Sequence, residues 1–282
     1  MKRAIRETPA KGAAWRLTQE YCFDTPGPVP VEDIAMDKGV LCLEAPLTGC
    51  LARLIRKGKK GIIRTHIGIR EEGRKRFAIA HELGHWFLHE AESQLFICTG
   101  EDMRDYKGSP MEVEANLFAS ELLMPTNLFR PLAENADPRL ATVKNLAGTF
   151  NTSLTATGMK FVELNRYECV LVLSTNGIVV WSKQKGARSG LRIEKGMRLH
   201  QESLAIHASD IEKEFGPEVV PPEAWITHNA YDRQLEVTEQ SWRLEGHNSV
   251  LTLLVMADVD GIEDYDMVRH YELKNERGDR EQ

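Results

Sequence analysis

Between Arg76 and His89 the chain reads R-F-A-I-A-H-E-L-G-H-W-F-L-H, and this run constrains the fold more than any other. Phe77, Ala80, Leu83, Gly84 and Phe87 recur at three- and four-residue steps, which predicts a mostly buried helix. His81, Glu82 and His85 stand within it as H-E-x-x-H. A spacing of four puts both imidazoles on one face, one turn apart, aimed at a single ion. Glu82 lies about 100° around from His81, close enough to bond a water on that ion without becoming a ligand, and so is placed to act as a general base.

An ion that activates water needs a third protein ligand and an open position. A second helix is predicted from Met111 to Met124, ended by Pro125, and Glu112 at its start is the favoured ligand. Asn116, four residues on, points the same way and can hold a ligand from behind. Glu114 is the competitor. It lies about 200° around from Glu112, so the two cannot face one metal, and a salt-bridged or solvated role suits it better. His89 is one more turn along the first helix, its Cα about 12 Å from that of His81 in a continuous helix, which fits a buried or hydrogen-bonded structural histidine. Glu121 is expected to be solvated or paired. Zinc suits two His and one carboxylate, although manganese or iron could occupy the same ligands.

The 282 residues are 42% hydrophobic and 28% charged, enough for a sizeable core and more than one domain. Helices are predicted over Ala13–Tyr21 and Val31–Lys38, with Gly39 as a stop, and strands over Val40–Leu43, Cys50–Ile55 and Gly61–Ile69. The last two strands join as a hairpin through Lys57–Gly61, giving a small, partly antiparallel sheet. Thr142–Phe150 and Ser153–Leu164 form a helix-turn-helix outline within 139–165. From Glu168 the pattern turns to hairpin strands around Ser174-Thr175-Asn176-Gly177, placing a domain boundary near residue 166. Leu204, Ala208, Ile211 and Phe215 predict one helix stopped at Gly216-Pro217, Val250–Ala257 a buried strand, and Lys274–Gln282 a frayed tail.

Charge narrows the class further. Lys and Arg total 36 against 42 Asp and Glu, a net −6 that argues against a protein built to coat nucleic acid. Arg53–Arg76 nevertheless holds ten basic residues against Glu71 and Glu72. That stretch reads either as a docking surface for an acidic peptide or nucleic acid, or as a solvated hairpin edge protected by its lysines. Five cysteines without C-x-x-C spacing indicate neither a disulfide framework nor a cysteine zinc site, so a reducing cytoplasm is expected. Met1–Trp15 has no apolar signal core, and Val250–Ala257 is too short to span a bilayer, so neither export nor membrane insertion is expected.

Two blocks, Arg76–His89 and E-V-E-A-N-L-F-A-S-E-L-L-M-P over Glu112–Pro125, resemble the ImmA/IrrE family of metallopeptidases. The resemblance covers residues 10–165 and implies a zincin-like helical core with a small antiparallel sheet over 1–165; the strand and helix pattern beyond it predicts a second small α+β domain over 166–282, so the fold class expected is α+β. It implies His81 and His85 as Zn2+ ligands, Glu82 as catalytic base, and Glu112 as third ligand with Asn116 behind it. The implied activity is zinc-dependent endoproteolysis of a specific repressor or regulatory protein, since some members pair with a helix-turn-helix repressor. The C-terminal third matches no named family, and a regulatory or substrate-recognising role is expected of it. Substrate could pair with the strand Ile62–Ile69 by β-addition. The oxyanion donor is open among Tyr106, His89 and His66. Two rivals remain: an adaptor that binds a partner without hydrolysis, and a DNA-binding regulator. The second helix of the outline offers that regulator only Lys160 as a basic residue.

Overall fold

The computed structural model describes residues 7–89, 109–185, 193–208, 214–225, 235–244 and 248–258. Ile211 and the expected tail Lys274–Gln282 lie outside them. The chain divides into two compact units, one of Met1–Glu134 with Val143–Lys160 and the other of Asn135–Thr142 with Phe161–Gln282. Both combine helices with a sheet, in agreement with the α+β expectation.

In the first unit, α1 (Glu7–Glu20) buries Ala10, Ala13, Ala14, Leu17 and Thr18, a single stripe at helical spacing, and packs on α3 and α4. The short α2 (Val31–Asp37) buries Val31, Ile34 and Ala35 and stops at Gly39, whose φ of 77° favours glycine. Three strands follow: β1 (Val40–Ala45), β2 (Ala52–Lys57) and β3 (Lys60–His66). They lie in the order β1-β3-β2, with β1 parallel and β2 antiparallel to β3. The β2–β3 hairpin turns through Gly58 at φ 60°. Because β3 is central, both of its edges are already bonded, and the expected strand addition at Ile62–Ile69 is overturned. Among the described residues, the edge strands of this sheet are β1 and β2.

The helix α3 (Glu72–Leu88) crosses the core of this unit, with Ile79, Ala80 and Leu83 fully buried beside Leu54 and Ile63 of the sheet. Trp86 docks its last turn. The Arg56 guanidinium lies 3.9 Å from the centroid of the Trp86 ring and bonds the Trp86 carbonyl at 2.9 Å. A Cβ on Gly61 would fall 2.9 Å from the same ring, so only glycine fits beneath it. At the other end, buried Arg76 donates to the carbonyls of Val29 and Asn151. Three of the ten basic residues counted along this stretch, Arg56, Arg76 and Lys75, are thus engaged within the fold, Lys75 through Glu44 at 2.6 Å.

The next helix, α4 (Pro110–Leu123), packs along α3 and α1. Pro125 does end it, but a further helix, α5 (Thr126–Ala133), begins at once. Buried Glu121 explains the restart: its carboxylate accepts from the Thr126 backbone N–H at 2.9 Å and hydroxyl at 2.6 Å. The same carboxylate takes Lys160 Nζ at 2.9 Å from α7 (Leu154–Leu164). Lys160 is itself buried, so the only basic residue offered for DNA reading on this helix faces inward. Before it, α6 (Leu140–Phe150) ends at Asn151 with φ 49°, and the Ser153 hydroxyl caps α7 by accepting from the Ala156 N–H.

The second unit holds a five-stranded antiparallel sheet in the order β5-β4-β8-β7-β6. Its strands are β4 (Cys169–Thr175), β5 (Ile178–Gln184), β6 (Glu214–Val220), β7 (Leu235–Leu244) and β8 (Ser249–Asp258). Asn176 and Gly177, both at positive φ, close the β4–β5 hairpin. The helix expected from Leu204 to Phe215 is not formed. A short α8 covers Leu204–His207, and Phe215 instead pairs with Ser241 in the sheet. Fully buried Glu239 on β7 anchors α8, accepting from the Ser203 hydroxyl at 3.0 Å and the Ala205 N–H at 2.9 Å; its second oxygen takes Trp225 Nε1 at 2.7 Å. Among the described residues, no helix is long and apolar enough to cross a membrane.

Candidate metal centre

Glycine lets the two ligand-bearing helices meet. A Cβ on Gly84 would fall 2.9 Å from Ala115 Cα and 3.1 Å from its carbonyl oxygen, so α3 and α4 approach backbone to backbone where H-E-x-x-H requires only "any residue". His81, three residues before Gly84, and His85, directly after it, then face Glu112 in the first turn of α4, three residues before Ala115.

His81 Nε2 lies 3.1 Å from His85 Nε2 and 3.1 Å from Glu112 Oε2, and His85 Nε2 lies 3.3 Å from Glu112 Oε1. Both imidazoles are fully buried, and the Glu112 side chain is 13% exposed, so the triangle meets solvent on the carboxylate side. Burial drives the His85 pKa down to about 4, helped by the neighbouring His81 and His89 and partly offset by Glu112. Burial acts the same way on His81, but Glu112, Glu82 and Asn116 together outweigh it and raise its pKa. Burial alone would raise the Glu112 pKa; its bonds from His81 and His85 hold it well below the usual carboxylate range instead. Near neutrality the group is therefore a carboxylate and a neutral imidazole beside a basic one, converging on one point.

Such a set fits a divalent cation. Tetrahedral zinc with bonds of about 2.0–2.1 Å holds its ligand atoms about 3.3 Å apart, close to the separations found here. These three residues are also the only His, Cys, Asp or Glu group of this kind among the described residues.

Behind the triangle each histidine is held by its other nitrogen. His81 Nδ1 lies 2.9 Å from Asn116 Oδ1, and His85 Nδ1 lies 2.9 Å from His89 Nδ1. His89 Nε2 in turn lies 3.1 Å from Glu114 Oε2, and His89, Glu114 and Asn116 are all buried. Glu82 is fully buried as well, and its carboxylate is among the groups that raise the His81 pKa.

The structure thus brings His81, His85 and Glu112 together, sets Asn116 behind His81, and buries Glu82, the residue after His81 on α3. Glu114 points elsewhere, as its angular separation from Glu112 requires. Of the oxyanion candidates, Tyr106 lies outside the described residues, His66 Nδ1 accepts from Gly68 N–H at 2.8 Å, and His89 is engaged between His85 and Glu114. The link from His89 to Glu114 escaped the sequence reading, although the four-residue step from His85 to His89 could have suggested a shared face.

A family profile described as the IrrE N-terminal-like domain, peptidase family M78, matches residues 64–161. No curated protein sequence matches the chain. Among solved structures, a Mycobacterium tuberculosis transcriptional regulator is similar at 15% identity and a TM-score of 0.55, covering 89% of this chain and 88% of that one, a likeness of fold alone. Helices α3 and α4, with every residue of the triangle, lie inside the matched segment, so residues 64–161 belong to the IrrE N-terminal-like domain of the ImmA/IrrE peptidase family.

Proposed function

We propose that this protein is a zinc-dependent endopeptidase that cleaves a regulatory partner protein. The convergence of His81 Nε2, His85 Nε2 and the Glu112 carboxylate within 3.1–3.3 Å, with Glu82 buried directly after His81 on α3, carries the reading. These three residues would hold the metal, which when bound lowers the pKa of water toward neutrality and polarises a scissile carbonyl. Glu82 takes the proton from the attacking water and returns it to the leaving amine. Asn116 keeps the His81 ring in the orientation that turns Nε2 inward. An extended substrate that pairs with the first sheet must do so at β1 or β2.

The resemblance to peptidases that act on helix-turn-helix repressors supports a repressor as the partner. The Mycobacterium tuberculosis protein of similar fold is described as a transcriptional regulator, which is compatible with a role in gene control. The test pairs metal content with cleavage. The purified chain should contain about one zinc per molecule, and the wild type should cleave a co-expressed helix-turn-helix repressor encoded beside it, whereas Glu82→Ala should not. Bound zinc without cleavage of that repressor would favour an adaptor that binds its partner without hydrolysis.

A further inference from the structure

We infer that His89 and Glu114 form a positioning relay that fixes the protonation and aim of His85 and thereby sets the affinity of the metal centre. The inference rests on the proposed metal site but not on proteolysis.

Glu114 is a buried carboxylate and accepts; the atom facing it at 3.1 Å is His89 Nε2, which must therefore carry a proton. In a neutral His89 this leaves Nδ1 as a lone pair, 2.9 Å from His85 Nδ1. Two lone pairs would repel at that distance, so the proton between them belongs to His85 Nδ1. With Nδ1 protonated, neutral His85 has its remaining lone pair on Nε2, the atom in the ligand triangle. The opposite arrangement, with His89 donating to His85, would put the His85 proton on Nε2, in the centre of the triangle, where it would exclude a cation.

His81 reaches the same state by a shorter route, since the Asn116 amide oxygen accepts from its Nδ1–H. The two ligands are held by unequal partners. An amide dipole backs His81, whereas a full negative charge, passed through an intervening imidazole, backs His85. A carboxylate behind a ligand histidine raises its basicity toward metal and locks its ring. Here His89 is needed because Glu114 lies on the side of α4 turned away from Glu112. The four-residue step from His85 to His89 carries the contact along α3 to where Glu114 can reach it.

The first test uses the wild-type chain. In the zinc-loaded protein, nitrogen-15 imidazole NMR should report His85 protonated at Nδ1 and His89 protonated at Nε2; protonation of His89 at Nδ1 overturns the relay. The second measures zinc affinity by competition with a chromophoric chelator. His89→Leu should bind zinc about 10- to 100-fold more weakly than wild type. His89→Gln, which keeps an acceptor toward His85 and a donor toward Glu114, should recover most of that loss. Because a purely structural role would also lower stability, melting of the metal-free forms is compared: the relay predicts that the zinc-induced rise in Tm shrinks in His89→Leu beyond any change in the metal-free protein. Wild-type affinity in a folded His89→Leu overturns the inference, as does a wild type that takes up no divalent ion, which also ends the proposed metal site. A wild type that binds zinc but cleaves nothing overturns the endopeptidase alone, with the relay still judged by affinity and tautomer.

Discussion

Gly84 presses against Ala115 so closely that a methyl group on the glycine would sit 2.9 Å from the Ala115 Cα. The distance between α3 and α4 is set at this crossing, and with it the reach of Glu112 toward His81 and His85. Gly84→Ala must push the helices apart and should cost about 1–3 kcal/mol of stability while weakening zinc binding. Gly148→Ala is the control: it lies in α6 with nothing within 4 Å of the added carbon, so it should be neutral or slightly stabilising. Thermal melts and zinc titrations of the two variants separate the effects.

Metal and base should come apart under mutation. Zinc at a thousandfold excess over its Kd should stabilise the wild type by about 4 kcal/mol. His81→Ala should lose that increment, and chelation of the wild type should mimic it. Glu82→Gln should keep the increment and lower turnover by about 10²- to 10⁴-fold, the range for losing a general base. Calorimetry with and without metal, beside a cleavage assay, checks both.

Glu121 and Lys160 form a buried pair whose partners are 9% and 7% exposed. Lys160→Met leaves a carboxylate uncompensated where α4, α5 and α7 meet and should destabilise the protein by about 3–5 kcal/mol. Urea unfolding measures this. A loss under about 1 kcal/mol would mean that the Thr126 bonds to Glu121 suffice by themselves.

The helices that carry the candidate site were legible because their signals are local. The four-residue step from His81 to His85, the terminator Pro125, and the opposite faces of Glu112 and Glu114 all follow from the pitch of one helix. What failed depends on partners distant in sequence. Pro125 hid α5, since the cap that restarts the helix is the side chain of Glu121 and Pro131 looks like a breaker in isolation. The central place of β3 could not be seen because β1 reaches it from across the hairpin and pairs in parallel. Phe215 fell at helical spacing from Leu204 by coincidence, and its sheet partner Ser241 is read only in three dimensions.

The thiols should differ sharply in reactivity. Burial, reinforced by Glu32, raises the Cys42 pKa to about 11, and burial with Glu168 raises Cys169 to about 12. At pH 8 their thiolate fractions are about 10⁻³ and 10⁻⁴, whereas Cys22 is exposed. Iodoacetamide at pH 8 should therefore label Cys22 well before Cys42 or Cys169 in the native protein, as peptide mass spectrometry can follow. Raising the pH toward 11 should bring Cys42 into play before Cys169.

Trp86 follows His85 directly in the chain, with its indole held between the Arg56 guanidinium and the bare backbone of Gly61. A cation resting on an aromatic face perturbs its excited state, so small movements of the last turn of α3 translate into changes of emission. The protein thereby carries an intrinsic optical probe one residue from the candidate ligand, read against the emission of its four other tryptophans.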